Sequence, residues 1–597
     1  MSQKKLFRRD FLRATVVTAF ASGLPTAACG ADDEKPTPAP EKESTDPADV
    51  LRVFPQGLAS GDPRPDSVIL WTRVAPEGAD GGAGVADVSV KYEVASDEDF
   101  KTLVAEGELT ATLATDHTLR IKVTKLEPYT TYYYRFHALG VQGDTGRTKT
   151  APKDDADVPV RFAFATCQDF AGRYYHAWKT LTEQDAVDFV VYLGDYVYET
   201  AGNPAFQTPT DTRKIVLPDG LDLGGGGLAA ESLADYRALY KQYRSDENLK
   251  KAHSLYPFIC IWDDHEYCDD CWKDHTNHFD GTQGDEQHTQ QREDADQAWF
   301  EYMPADVVYD EGASYPDDIK IYRNLRYGKH MELFLTDQRY YRDDHLIPEG
   351  PVDLSVAKLI ENSSVGSRIF LLKPGFDPKE AAAKPSMLGA TQKSWFVDSV
   401  KGSNATWKIW GSETQLAQMV VNLKGFPKVP APFNDLFYLT VDQWDGYRSE
   451  RAEILTALSG VENLVVVTGD IHAFYASELH VDFDAPATKP VAVEYVVAGI
   501  TSQAIAPAAE GVIGGNATFK ALGLLELIPQ WDTLLPQSSP HYRYSNSFEN
   551  GIAICDLSAE SVEVTFFIVS DVTNPTPGEV KQSRWKTLAG TNTVVPG

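Results

Sequence analysis

Six strand-like apolar stretches in the second part of the chain each end in side chains that can bind metal ions or transfer protons. The stretches are Val160–Ala165, Val187–Leu193, Phe258–Trp262, Met331–Leu335, Trp407–Trp410 and Leu464–Val467. In sheets that are covered by helices, ligands bind beyond the carboxyl ends of the strands. The six polar clusters are therefore predicted to share one rim, and that rim is predicted to be an active site.

The polar clusters offer possible metal ligands of contrasting character. They are the carboxylates of Asp195, Asp264 and Asp470, the imidazoles of His265 and His472, the thiol of Cys167 and the phenol of Tyr198. Any one of these residues alone could simply cap a strand or form a turn. Buried together as anions they would repel one another, so the whole set indicates a site that cations neutralise.

The elements that position these residues divide into two parts. Over residues 153–597, apolar runs alternate with helix-compatible stretches such as Leu228–Arg244 and Ala295–Tyr302. This pattern predicts an α/β (α+β) catalytic domain with mixed sheets flanked by helices. Over residues 51–152, short alternating runs with turn residues between them predict a small antiparallel β-sandwich.

The predicted sandwich has two features of immunoglobulin- or fibronectin-like domains. Its strands are expected at Ser67–Thr72, Val88–Val94, Thr118–Val123 and Thr131–Phe136. The segment Leu126–Tyr134 resembles the corner that precedes a late strand in fibronectin type III domains, and Trp71 is predicted to be the core tryptophan of the opposite sheet.

The first 29 residues indicate an export signal. A basic head that includes Arg8 and Arg9 precedes an apolar stretch, Ala14–Ala28, which is too short to span a membrane. Arg8-Arg9-Asp10-Phe11-Leu12 resembles a motif for the twin-arginine export machinery. Thr26–Cys29 resembles a lipoprotein cleavage box, which predicts a lipid anchor at Cys29; simple cleavage with an incidental Cys29 is the alternative.

Composition limits the location and the partners of the protein. Residues 30–50 are rich in Pro and charge without apolar periodicity, and they are predicted to be a disordered linker. An exported protein with a lipid anchor is expected to be periplasmic or at the cell surface. The formal net charge of −32 argues against a nucleic-acid binding surface, because such an acidic surface repels polyanions.

Three motifs carry a resemblance to a known family. Gly194-Asp195, then Asp264-His265-Glu266 after a strand, then Gly469-Asp470-Ile471-His472 after another strand resemble the calcineurin-like metallophosphoesterase fold. Four departures from the general pattern are typical of the PhoD-like alkaline phosphatase D family. They are Cys167 at the end of the first strand, Tyr198 three residues after Asp195, Asp264 in place of the usual Asn before His265, and Asp470 in place of the first His of the last pair. The segment Gly57–Pro63 resembles the start of that family's N-terminal domain.

The resemblance implies a site with Fe(3+) and Ca(2+). Thiolate, phenolate and imidazole groups suit a trivalent, redox-capable metal, so Cys167, Tyr198 and His472 are expected to bind iron. The carboxylates of Asp264 and Asp470 suit calcium, and Asp195 is expected to bridge the two metals.

The mechanism implied is attack on phosphorus by a metal-bound hydroxide. His265 lies next to a ligand and is expected to act as the general acid, while Glu266 either orients its ring or caps the following segment. Arg339 and Arg342 match the family's Asp-x-Arg-x-x-Arg pattern, and they could clamp phosphate or pair with carboxylates. A remaining ligand could come from Gln415 or a residue nearby.

The remaining cysteines are assigned by their context. Cys268 and Cys271 form an isolated CxxC, and a local disulfide between them is predicted, which an oxidising location would permit. Cys260 and Cys555 lie within apolar strands and are expected to be buried thiols.

These predictions describe an exported alkaline phosphatase, a metal-dependent hydrolase of phosphate-ester small molecules or phosphodiester polymers. One alternative is a phosphodiesterase on the same site, either phospholipase D-like or directed at teichoic acid. An alternative of another class is a surface binding protein in which calcium is only structural.

Overall fold

The computed structural model describes residues 43–76, 86–204, 206–276, 286–347, 359, 363, 368–485 and 488–597. Residues Glu43–Gly597 form one compact unit. The predicted export signal, Cys29 and the first part of the predicted linker lie outside the described residues. Among the described residues, no helix is both long and apolar enough to span a membrane.

The first large sheet, sheet I, has ten strands with a parallel centre. Its strands, in order across the sheet, are Val595–Pro596, Val580–Leu588, Ser561–Val569, Asn550–Leu557, Val160–Ala165, Phe189–Leu193, Pro257–Ile261, Leu58–Arg64, Ser67–Arg73 and Thr118–Thr124. The strand Phe189–Leu193 pairs in parallel with both of its neighbours, Val160–Ala165 and Pro257–Ile261.

The second large sheet, sheet II, has seven strands, four of them consecutive and parallel. In order they are Arg323–Tyr327, Met331–Leu335, Trp407–Ser412, Leu464–Thr468, Ala492–Val496, Phe474–Leu479 and Tyr542–Asn546. The parallel pairs join the second strand to the third, the third to the fourth and the fourth to the fifth.

Sheets I and II face each other across the main core. Val190 and Leu193 of sheet I share this core with Val465 and Val467 of sheet II. The alternate residues of the same sheet II strand, including Val466, belong to a second core on the outer face of that sheet. Strands that are buried on both faces need apolar residues at every position, which explains the continuous apolar runs of the sequence.

Helices and smaller sheets complete the fold. The α-helices are Pro47–Val53, His176–Thr182, Leu233–Tyr243, Glu247–Leu255, Thr289–Tyr302, Lys373–Ala383, Gly389–Gly402, Arg448–Leu458, Ile505–Gly515, Ala517–Ala521 and Trp531–Ser538. Small sheets contain Thr200–Ala201, Gly227–Ala229 and Leu221–Gly224; His275–Thr276 and Glu286–Gln287; and Ile369–Leu372, Leu436–Thr440 and Val420–Asn422. The predicted α/β class with mixed sheets and flanking helices is confirmed.

The N-terminal part contains two sheets around a core of its own. One sheet consists of Leu103–Ala111, Val88–Ala95, Thr131–Ala138, Val141–Gln142 and Gly146–Lys149. The opposite strands are the three at the end of sheet I, which they join through the parallel pairing of Ser60 with Pro257. The fibronectin-like corner is present, because the Tyr132 hydroxyl accepts a hydrogen bond from the Glu127 backbone N–H at 2.8 Å.

Two details differ from the predictions. Trp71 is not in the sandwich core: its indole N–H donates to the Glu301 carbonyl at 2.7 Å, and its ring packs in the main core. Both faces of this strand are apolar, so the alternation could not show which face Trp71 occupies. Residues 47–50, expected in the linker, begin the helix Pro47–Val53, whose N-terminus is capped by the Asp46 carboxylate at 2.9 Å from the Ala48 nitrogen.

The six polar strand ends lie at one edge, as predicted. Three follow parallel strands of sheet I and three follow parallel strands of sheet II. Backbone hydrogen bonds link neighbouring ends, for example from the Cys167 N–H to the Gly194 carbonyl at 3.2 Å and from the Gly469 N–H to the Glu413 carbonyl at 3.3 Å. The fold therefore brings far-apart segments of the chain to a common rim.

Candidate metal centre

The first group of candidate ligands combines sulfur, phenol and imidazole around Asp195. Ligand atoms of Cys167, Asp195 and His472 all lie within 4.8 Å of one another. The Tyr198 hydroxyl lies 3.1 Å from Asp195 Oδ2 and 3.2 Å from His472 Nε2, and Cys167 Sγ lies 3.3 Å from the same Asp195 oxygen. Four side chains from three distant segments of the sequence thus converge on one point.

The second group contains only carboxylates. Oxygens of Asp195, Asp263, Asp264 and Asp470 also lie within 4.8 Å of one another. Asp195 belongs to both groups, which is the position that a bridging ligand must have. Five of the six predicted metal ligands are therefore in these two groups, and Tyr198, the sixth, contacts two residues of the first group.

The backbone turns sharply at four of these residues. Cys167, Asp195, Asp470 and His472 have φ values of +55°, +58°, +63° and +55°, in the left-handed region that residues with a side chain rarely adopt. Such conformations cost about 1–3 kcal/mol each and persist where the surroundings impose them. Here the four residues come shortly after strands that end at the rim.

Two glycines permit the close approach of these strand ends. A Cβ atom on Gly194, whose φ is +93°, would lie 2.4 Å from the Asp263 nitrogen. A Cβ atom on Gly469 would lie 2.4 Å from the Thr166 side chain. Both contacts are shorter than real Cβ atoms tolerate, so glycine is needed next to Asp195 and next to Asp470.

The carboxylates need positive charge that the chain only partly supplies. Burial raises the pKa of Asp195 well above its usual value, and the neighbouring Asp264 and Asp470 add to that effect. Burial also raises the pKa of Asp470, to about 7. Asp195 Oδ1 and Asp263 Oδ2 are buried and have no hydrogen-bonding partner among the described residues. Buried oxygens without partners fit metal coordination, so the residues present suit a cluster of cations.

His472 is prepared to bind a metal through one nitrogen. Its Nδ1 lies 2.8 Å from the Gln503 carbonyl, so Nδ1 carries the proton and Nε2 presents its lone pair to the site. Burial lowers the pKa of His472 to about 4, which keeps the imidazole neutral. On the other side of Tyr198, the Ser502 hydroxyl donates to the phenol oxygen at 2.6 Å.

His265 is held by Glu199 and not by Glu266. His265 Nδ1 lies 2.6 Å from Glu199 Oε2. Glu266 instead accepts three backbone N–H groups, from Asp195 at 2.9 Å, Tyr196 at 2.6 Å and Asp263 at 2.7 Å. Glu266 therefore fills neither of its two predicted roles: it neither orients the His265 ring nor caps the segment that follows, but fixes the backbone at Asp195, Tyr196 and Asp263.

Arg339 and Arg342 pair with carboxylates. Arg339 binds Asp263, lies 2.7 Å from Asp442 Oδ2, and lies 3.5 Å from Asp264. Arg342 lies 2.8 Å from Asp442 Oδ1. Both guanidinium groups are fully buried. Of the two alternatives for these arginines, the geometry shows carboxylate pairing, and a phosphate clamp stays a prediction.

Comparison with known proteins identifies the family of this chain. The family model described as PhoD-like phosphatase matches residues 162–566, and the one described as PhoD-like phosphatase, N-terminal domain, matches residues 40–152. The chain belongs to the PhoD-like phosphatase family. It is therefore a phosphoester hydrolase, as the sequence motifs predicted.

Individual relatives agree with this assignment. The chain is 31% identical to alkaline phosphatase D of Bacillus subtilis (strain 168) over 532 residues, which cover 87% of this chain and 78% of the relative. The solved structure of PhoD matches with 28% identity and a TM-score of 0.72, over 91% of this chain and 92% of that one. Purple acid phosphatase PPD1 from yellow lupin seeds matches at 10% identity with a TM-score of 0.48, over 89% of this chain and 75% of that one.

Several residues of this PhoD-like phosphatase site were missed in the sequence. Asp263 directly precedes the predicted ligand Asp264 and belongs to the carboxylate group. Asp442, which binds both arginines, and Gln443, which donates to Asp470, follow the strand Leu436–Thr440. That strand ends in polar residues like the other six, so the same signal could have found them. Glu413, at the end of another rim strand, is buried with both carboxylate oxygens unpartnered among the described residues.

Two smaller predictions concern Gln415 and the CxxC cysteines. Gln415, suggested for the remaining ligand, donates its side-chain amide to the Ala417 carbonyl at 3.1 Å and to the Tyr542 hydroxyl, and its Oε1 is buried with no hydrogen-bonding partner among the described residues, so its role as a ligand stays a prediction. The structure has no disulfide between Cys268 and Cys271, so that prediction is wrong here. Cys268 Sγ accepts from the Thr276 hydroxyl at 2.9 Å, whereas Cys271 Sγ is directed to the Asp264 carbonyl at 3.9 Å.

Proposed function

We propose that this PhoD-like phosphatase is an exported alkaline phosphatase whose site binds Fe(3+) and Ca(2+). The observation that carries the proposal is the position of Asp195 between two unlike ligand groups. One group offers thiol, phenol and imidazole, and the other offers only carboxylates. Two groups of different chemistry that share one carboxylate suit two different cations.

The iron would be held by Cys167, Asp195, Tyr198 and His472, and calcium by Asp195, Asp264 and Asp470. Asp263 is an additional candidate for calcium, because it belongs to the carboxylate group and its buried Oδ2 has no hydrogen-bonding partner among the described residues. When bound, the metals would supply a nucleophilic oxygen at neutral pH and neutralise charge on the phosphoryl oxygens.

The residues of the chain do the positioning and the proton transfer. His265 would give a proton to the leaving-group oxygen, since a ring nitrogen of His265 lies within 4.8 Å of oxygens of Asp195 and Asp264. Arg339 would hold Asp263 and Asp264 in place, and the buried carboxylates would otherwise separate.

The proposed location rests on the sequence of the first 29 residues. Arg8 and Arg9 would direct the folded protein to twin-arginine export, and Cys29 would receive a lipid anchor that keeps the enzyme at the cell surface or in the periplasm. Phosphate-ester small molecules are the proposed substrates. A comparison of p-nitrophenyl phosphate with its bis ester would separate monoesterase from diesterase preference.

The metal assignment is tested by replacing Tyr198 with Phe. Phenolate bound to iron(III) absorbs visible light, so the parent protein should be coloured and contain iron and calcium by elemental analysis. Tyr198→Phe should lose the colour. The matched control is Tyr196→Phe, because Tyr196 is also buried but its hydroxyl lies 2.8 Å from His253, away from the ligand groups. A colourless, fully active parent protein without iron would contradict the proposal.

A further inference from the structure

Glu199 is a buried carboxylate directly behind the histidine of the site. Its Oε2 lies 2.6 Å from His265 Nδ1, and its Oε1 accepts the Asp269 backbone N–H at 3.2 Å. Its own backbone carbonyl accepts from the Ala230 N–H at 2.8 Å. Glu199 is completely buried, so its carboxylate is fixed from two sides at the edge of the catalytic rim.

The His265 ring is held on its face as well as on its edge. The Tyr198 ring lies against it with centroids 4.1 Å apart, and the Phe206 ring lies 6.3 Å away. With Nδ1 engaged by Glu199, the ring edge that carries Nε2 is left to face a substrate. Nε2 lies 3.7 Å from Asp269 Oδ1, and the Asp269 side chain is 44% exposed, so this edge is at the solvent side of the site.

We propose that Glu199 is a positioning residue, which orients His265 so that Nε2 meets the leaving-group oxygen of the phosphate ester. This inference rests on the acid role proposed above for His265. An imidazole whose Nδ1 is hydrogen-bonded to a carboxylate keeps one tautomer and one orientation. Glu199 would thus decide where the transferred proton lies, without contacting the substrate.

The proton transfer balances over one turnover. The bond between phosphorus and the leaving oxygen breaks, its electron pair stays on that oxygen, and the oxygen takes the proton from His265 Nε2. A water molecule supplies the oxygen of the new bond to phosphorus and one proton, through solvent, that restores His265. The products are an alcohol and inorganic phosphate. The Nδ1 proton remains in its hydrogen bond to Glu199 throughout.

The test uses the leaving group as the probe. p-Nitrophenolate leaves without a proton, whereas the alkoxide of glycerol 2-phosphate needs one. Loss of general-acid catalysis costs about 10²–10⁴-fold. We expect Glu199→Ala to lower kcat for glycerol 2-phosphate by at least about 10²-fold and for p-nitrophenyl phosphate by less than about tenfold. KM, metal content and the visible spectrum should stay unchanged.

Conservative and control variants separate positioning from folding. Glu199→Gln keeps an oxygen that can accept from Nδ1, so its loss on glycerol 2-phosphate should be smaller than that of Glu199→Ala. Glu380 is a matched control, because it is also a buried glutamate and accepts the Ser449 N–H at 2.7 Å. Glu380→Gln should leave the ratio of the two activities unchanged.

A double variant and His265→Asn make the outcomes distinct. Glu199→Ala added to His265→Asn should cost nothing more on glycerol 2-phosphate, because the two residues act as a unit. Equal losses on both substrates in Glu199→Ala, or multiplicative losses in the double variant, would overturn the role of Glu199. If His265→Asn lowers kcat equally for the two substrates, His265 is not the general acid, and the role of Glu199 as its positioning residue is then also wrong.

Discussion

Removal of the metal ions should make the stability of this phosphatase depend steeply on pH, and Asp470 allows the effect to be calculated. Burial raises the pKa of Asp470 to about 7, from an ordinary value of 3.8, even though Arg339 opposes the shift. The folded, metal-free protein therefore holds this proton more tightly than the unfolded chain does. Its stability should fall as the pH rises from about 4 to about 7, and it should stay low above that range.

The size of the effect follows from the shift. About three pKa units at 1.4 kcal/mol each amount to about 4 kcal/mol of unfolding free energy. Two carboxylates 4.8 Å apart, the outer limit within this group, repel by about 3.5 kcal/mol at an effective dielectric constant of about 20. The net loss is therefore comparable with one such repulsion, although burial is the largest cause of the shift, the repulsion from Asp264 and Asp442 adds to it, and Arg339 opposes both.

Urea unfolding of the chelated protein at pH 5 and pH 8 measures this quantity. Asp470→Asn should gain about 4 kcal/mol at pH 8 in chelator and only about 1.6 kcal/mol at pH 5, because pH 5 lies little more than one pKa unit above the unfolded value of 3.8. Asp442→Asn is the control of opposite sign, because Arg339 and Arg342 outweigh burial and hold the pKa of Asp442 well below its usual value. Asp442→Asn should therefore destabilise at both pH values. If chelated Asp470→Asn kept the pH dependence of the parent protein, Asp470 would not be the group that causes it.

Three further predictions concern the iron ligands and the buried arginine. Cys167→Ser should lose iron and the visible band but keep calcium, because the carboxylate group is unchanged. Elemental analysis measures both metals, and loss of both together would contradict separate iron and calcium positions. Ser502→Ala should move the visible band to longer wavelength, because the phenolate of Tyr198 loses a hydrogen bond. Absorption spectra of the metal-loaded protein measure the shift, and an unmoved band would contradict phenolate binding to iron. Arg339→Met should cost about 3–5 kcal/mol of stability in urea unfolding, since it leaves buried carboxylates unpaired; a large rise in KM with unchanged stability would instead indicate a phosphate clamp.

The sequence alone predicted the rim but not all of its internal contacts. The rim could be predicted because a buried parallel strand is apolar at every position, so the polar residues at its end are conspicuous in the sequence, as at Ala165–Cys167 and Leu193–Asp195. Pairings between distant residues left no such signal. Glu266 is adjacent to His265 in the chain, yet Glu199, 66 residues away, holds the ring.

The sequence pattern also could not predict which face of a strand a side chain occupies or how the small sheets pack onto the rim. Trp71 lies in a strand that is apolar on both sides, so only tertiary packing decides that it joins the main core. Asp442 follows a strand of a small sheet whose packing onto the rim depends on the whole fold. In contrast, the helix Pro47–Val53 has local signals in the sequence, an Asp cap and a Pro at its first position. The Pro- and charge-rich composition of residues 30–50 nevertheless favoured the prediction of a linker there.

Anomalous diffraction at the iron absorption edge, from crystals of the protein purified from its own host, would locate the iron. We expect one strong peak in contact with Cys167 Sγ, the Tyr198 oxygen and His472 Nε2, with an Asp195 oxygen between it and a second cation among the carboxylates. An iron peak elsewhere, or a site in which Asp195 contacts only one cation, would rule out a shared iron and calcium centre at this rim.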